Sequence, residues 1–223
     1  NFVEDIVVKS KASAKQKKMA GNYLDSFISL DFNLDKRNQK FATSKGYYSY
    51  YTIDLPMLSD TGTLNNTYKY KYFTELFENN ISSLSLLLGS SFSANDKNIK
   101  LSERLFIPGS RLRGFERGRI GPKDGDDFIG GNYMSAINLS SSIPKIFENA
   151  QNLDLVIFFD VANIWGIDYD KSIAENSEIR SSIGIGLNWT TVVGPLSFSL
   201  AQPITKADTD VTETFRFNLG TTF

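Results

Sequence analysis

The sequence predicts an all-β protein, an antiparallel transmembrane β-barrel of about ten strands with one long connection folded into its lumen. Three observations carry this. Apolar and polar residues alternate with period two along the whole chain, in segments of about 10 residues, the length at which a tilted strand crosses an outer membrane. The connections alternate too, shorter at one end of the segments and mostly longer at the other. The face opposite the apolar one is rich in Gly and Ser, which a soluble sandwich does not need and which leaves room for something inside a lumen.

Composition narrows the chemistry. The chain has 223 residues, which fits one domain over 1–223. Its 24 Lys+Arg balance 25 Asp+Glu, so no overall field recruits nucleic acid. It contains no Cys and no His. That argues against disulfides, thiol nucleophiles, Ser-His catalysis and the commonest metal ligand, so neither an enzyme nor a cofactor or metal site is expected. No apolar run approaches the roughly 20 residues of a membrane helix. The chain opens Asn-Phe-Val with no initiator Met or signal peptide, which reads as part of something longer or as a processed product.

The first expected strand is Phe2–Lys9, followed by polar, basic Ser10–Gly21, expected on composition as a solvated loop rather than a helical turn. Asn22–Leu34 sets Leu24, Ile28, Leu30, Phe32 and Leu34 against Asp25, Ser29, Asp31 and Asn33. Lys45–Leu55 places Tyr47, Tyr51, Ile53 and Leu55 on one face, and a further loop is expected near 57–65, containing Pro56, Asp60 and Gly62. In Thr67–Leu76, Tyr68, Tyr70 and Tyr72 alternate with Lys69 and Lys71; in Ile81–Ser93, Leu84, Leu86, Leu88 and Phe92 are in step. Beyond the long connection come Tyr133–Ser142, Leu153–Trp165, Arg180–Val192, Leu196–Ile204 and a last strand with Phe215, Phe217 and Leu219 against Arg216, Asn218 and Gly220. Parity therefore points the Tyr68 series, Ile183, Ile185, Leu187, Phe198, Phe215 and Phe217 to lipid. Lys69, Lys71, Asn188, Arg216 and Asn218 point to the lumen.

The connection at 94–130 has neither period. Leu105, Phe106, Ile107, Leu112, Phe115, Phe128 and Ile129 are too many apolar groups for a disordered tail, so it packs against something. Other features read blandly. Gly184-Ile-Gly186 lies inside a strand, where small residues give room rather than cradle a nucleotide. Asp124, Asp126 and Asp127 lack calcium-loop spacing. The Lys9–Lys18 stretch falls on the long-loop side, where it either meets lipopolysaccharide phosphates or is simply solvated.

Arg113-Gly114-Phe115, Ile120-Gly121-Pro122, Gly130-Gly131-Asn132, Phe159-Asp160 with Asn163-Ile164-Trp165, Gly194-Pro195-Leu196 and Phe215–Phe223 together resemble the BamA family of outer-membrane protein assembly factors. The resemblance spans most of the chain and is strongest over Leu101–Phe223. It implies the C-terminal portion of a sixteen-stranded barrel, roughly strands seven to sixteen, with POTRA domains and half of a lateral gate lying outside this sequence. It implies folding and insertion of barrel precursors into the bacterial outer membrane. The implied partners are unfolded precursors, assembly lipoproteins, and outer-membrane lipid and lipopolysaccharide. A two-partner secretion transporter of the same superfamily and a passive or structural barrel remain alternatives.

By the same resemblance the Arg-Gly-Phe loop enters the lumen. Strand parity turns Asp160 inward with Asp154 and Ala162, where Arg113 can answer it with two parallel hydrogen bonds. Gly114 permits the turn and Phe115 wedges against the wall. A second carboxylate that many members carry on the strand after the loop is replaced here, near Ser140. Phe215, Phe217, Gly220 and Phe223 resemble the C-terminal signal of bacterial barrel proteins, with aromatic-girdle residues as the plainer reading.

Overall fold

In a computed structural model the described residues are 2–40, 43–95, 97–143, 152–170, 172–173, 177–191 and 194–219. Ten strands form one antiparallel sheet in chain order: β1 (Phe2–Ile6), β2 (Gly21–Asp35), β3 (Gly46–Ser59), β4 (Thr63–Thr74), β5 (Ser82–Ser93), β8 (Tyr133–Ile143), β9 (Leu153–Trp165), β10 (Arg180–Thr191), β11 (Gly194–Thr205) and β12 (Phe215–Leu219). The two omitted numbers are a small separate hairpin, β6 (Lys123–Asp124) and β7 (Asp127–Phe128), inside the long connection. Among the described residues β1 and β12 are the two ends of the sheet and do not pair with each other.

The alternation decides the faces. Leu30, Phe32, Leu84, Leu88, Ile137, Ile157, Ile183, Ile185, Phe215 and Phe217 are exposed on one face. That face also carries cross-strand aromatic pairs: Phe32 with Tyr51, Tyr47 with Tyr70, Tyr133 with Trp165 and Phe198 with Phe217, at 5.1–6.2 Å between rings. Lipid offers no hydrogen bonds, so the few polar groups there satisfy one another. Ser49 donates to the Tyr68 hydroxyl, and Tyr51 donates to Asn66 Oδ1. The opposite face is the lumen side, and it presents Asn138, Asp160, Ser182, Ser197, Ser199 and Ala201 as buried residues beneath the long connection.

Two expectations need correction. The connection expected near 57–65 is only residues 60–62, because β3 runs through Pro56 to Ser59. Pro56 is tolerated where the β2–β3 register shifts between Asp25 and Phe27, a bulge at which a missing N–H costs little. The Ser10–Gly21 segment is not a solvated loop throughout: it forms a helical turn at Ala14–Lys17 and buries Ala12, Gln16 and Met19. Gly220 and Phe223 lie outside the described residues.

Gly184 and Gly186 sit inside β10. A Cβ on Gly184 would collide with the Leu200 carbonyl and the Phe158 ring, so the glycines serve close strand packing.

Candidate functional site: a connection locked against the wall

Residues 94–132 leave β5, cross the lumen face and return to β8. They do so as short 3₁₀ turns (Leu101–Glu103 and Gly109–Arg111) and the β6–β7 hairpin, with no long element of their own. What orders the connection is burial. Ile107, Leu112, Phe115 and Ile120 form one apolar cluster with Leu87, Met134, Ala136, Ala162 and Ile164 of β5, β8 and β9. Phe115 is 1% exposed within this cluster. Burying that ring contributes roughly 1.5–3 kcal/mol.

The polar centre of the contact is Asp160, itself fully buried. Arg113 donates from Nε at 2.8 Å and from Nη2 at 2.7 Å to its two oxygens, and the Arg113 backbone N–H adds a third bond at 3.1 Å. Asn138 Nδ2 supplies a fourth at 2.8 Å and also meets the Arg111 carbonyl. The carboxylate so loses its water but not its partners, which is the condition for burying a charge. The guanidinium lies 3.3 Å over the Phe158 ring, so its flat face is covered as well.

Gly114 follows with φ of 89°, a left-handed conformation that favours glycine. A side chain there would press on Ala201 and Ser182 of the wall. Ser182 in turn donates to the Arg113 carbonyl. The residue of β8 opposite Asp160 is the amide Asn138, while Ser140 lies opposite Phe158.

Sequence reasoning missed three further anchors. Lys100 is buried among Asp25, Glu4 and Glu103 and lies over the Tyr23 ring. Burial pulls its pKa down, but the hydrogen bond to Asp25 and the surrounding carboxylates more than restore it, leaving it raised. Arg104 pairs with Asp168, bonds Asn132 and stacks on Tyr169. Burial and the neighbouring Asp124 carboxylate push the Tyr169 hydroxyl well above the ordinary range, so it stays a donor to Asp124. Arg180 and Asp210, both fully buried, meet at 2.9 Å and 3.1 Å.

Of the C-terminal residues, Phe215 and Phe217 face outward on β12. Asp124 and Asp127 are engaged with Ser13, Tyr169 and Lys9, and no cluster of metal-ligating side chains occurs among the described residues.

The chain matches the Omp85 superfamily domain over residues 3–223. It is 25% identical over 221 residues to the outer membrane protein assembly factor BamA of Neorickettsia risticii, covering 97% of this chain and 30% of that protein. It is 27% identical over 213 residues to a SAM50-like protein of Schizosaccharomyces pombe, covering 90% of this chain and 45% of that one. The chain thus spans less than half the length of either relative. A crystal structure of BamA from Haemophilus ducreyi lacking POTRA domains 1–3 superposes with a TM-score of 0.77 at 26% identity, over 85% of this chain and 41% of that one. With a locked connection across the inner face of an antiparallel barrel wall and a family match from end to end, the chain belongs to the Omp85 superfamily.

Proposed function

We propose that this chain is the C-terminal barrel portion of an assembly factor that folds and inserts β-barrel precursors into the bacterial outer membrane. The observation that carries the reading is the filled lumen face. The long connection is fixed to the wall by the Arg113–Asp160 pair and the Phe115 cluster, which argues against a passive pore. The similarity to proteins named as BamA and as SAM50-like favours assembly over export of a soluble substrate.

No covalent bond is made or broken in this function. Unpaired backbone groups are intolerable in lipid, and a strand edge templates the next strand, so the work is exchange of backbone hydrogen bonds at a weak seam. Unfolded precursors, assembly lipoproteins, lipid and lipopolysaccharide are the partners; nucleic acid is not.

The test uses the full-length protein in lipid vesicles given a urea-unfolded barrel precursor, read by protease protection. Faster precursor folding than in empty vesicles is expected. No acceleration, or passage of a soluble protein to the vesicle interior, overturns the reading.

A further inference from the structure

The long connection touches more than Asp160. Residues 114–119 run beside residues 211–213, the segment that leads into β12. Glu116 N–H donates to the Val211 carbonyl at 2.9 Å, Val211 N–H to Arg119 at 3.0 Å, and Glu213 N–H to Gly114 at 3.0 Å, with Phe115 and Thr212 bridged between them. The Arg-Gly-Phe turn therefore carries a short backbone ladder to the approach of the last described strand.

Arg216 closes this ladder. With Asn218 it is on the inward side of β12, opposite Ser199 of β11. Its Nη1 donates to the Gly109 carbonyl and its Nη2 to the Phe115 carbonyl, both within the long connection. Glu213 Oε2 accepts from Nε at 2.9 Å and from Nη2 at 2.7 Å, which fixes the plane of the guanidinium. A planar fork can meet two carbonyls and a carboxylate at once, whereas an ammonium cannot hold that geometry. The connection makes space for it: a Cβ on Gly109 would lie 2.7 Å from Arg216 Nη1.

Among the described residues five residue pairs join β12 to β11, and Arg216 adds bonds from this strand to the connection on its lumen side.

We propose that Arg216 is a positioning residue that ties the lumen connection to β12, so that neither the Arg-Gly-Phe turn nor the strand shifts without the other. This rests on the assembly reading above for its purpose. If a seam beside β12 must loosen for a precursor strand to be templated, Arg216 makes that loosening depend on where the connection sits.

Hydrogen exchange on the full-length protein in lipid nanodiscs tests the tie. Arg216→Ala is expected to speed exchange at the Glu116, Val211 and Glu213 amides roughly tenfold, with Arg216→Lys intermediate. Gly109→Ala is the independent perturbation. Its added methyl meets only the end of a flexible side chain, so the fold persists while the guanidinium is displaced, and the same amides are expected to speed up. Arg113→Ala, acting from the far end of the turn, is expected to accelerate Val211 and Glu213 as well. Unchanged exchange at these amides in Gly109→Ala, or acceleration in Arg113→Ala that stops at Glu116, overturns the tie. Precursor folding is measured on the same samples. Coupled exchange with an unaffected folding rate leaves the tie standing and sinks the assembly reading, whereas altered folding without coupled exchange does the reverse.

Discussion

Two of the arginine–aspartate pairs in this molecule, Arg180–Asp210 and Arg113–Asp160, are built differently. Arg180 and Asp210 are both at 0% side-chain exposure, and Asp210 also accepts from the Ala207 and Gly121 amides. Arg113 keeps 19% of its side chain exposed while Asp160 keeps none. The first is a sealed junction between β10 and the connection that precedes β12. The second is open on one side, resting on a ring and a glycine turn. Equal chemistry thus gives one pair sealed from water and one open to it at the guanidinium, and the cost of separating a buried pair rises with how completely water is shut out.

The largest expected effect comes from breaking the sealed junction. Arg180→Met or Asp210→Leu strands a buried charge and is expected to cost roughly 3–5 kcal/mol, seen as a lower thermal unfolding temperature of the full-length protein in detergent. The double replacement Arg180→Met/Asp210→Leu should recover much of that loss. A double variant as unstable as the singles would show that the pair is not the source.

Arg113→Ala and Asp160→Ala fall at or below the lower end of that range, since the guanidinium is partly solvated. The two together should be little worse than either alone, and precursor folding should slow in all three. Strictly additive losses would mean that the residues act separately. A smaller step, about 1 kcal/mol, is expected for Asn138→Ala, which removes the amide bridging the Arg111 carbonyl and Asp160. It sharpens the comparison by loosening only the open pair, so a matching loss of exchange protection around Arg180 would contradict it.

The smallest effect is set by the exposed pair of Lys9 and Asp127, at 3.4 Å with Lys9 81% exposed. Lys9→Ala should change stability by no more than about 1 kcal/mol, and that difference should vanish in high salt.

The wall was legible because strand parity is a strict code. Strand parity leaves Asp160 nowhere to point but inward, while the family resemblance, which brings the Arg-Gly-Phe loop into the lumen, supplied Arg113 as its partner. The other anchors follow no period. Lys100, Asp168 and Asp210 lie in connections where nothing in the spacing marks an inward charge, and each partner is supplied by a distant segment. Pro56 misled in the opposite sense: a residue that usually ends a strand is accommodated inside β3 by a bulge that only the pairing with β2 shows. The helical turn at Ala14–Lys17 was hidden by its lysines, since Gln16 and Met19 bury through contacts that composition does not announce.

The long connection also sets an order of events in folding. Each wall strand pairs with the next wall strand, and apart from β5 with β8, which the long connection itself separates, these hairpins close over short stretches of chain. The anchors of the connection span far more: 47 residues from Arg113 to Asp160, 75 from Asp25 to Lys100, and 101 from Phe115 to Arg216. Closing such distances is entropically expensive until the strands that carry both ends are already in place. The plug of this barrel is therefore expected to close after its wall, and a newly made molecule passes through an interval in which the sheet is complete and its interior still open to water.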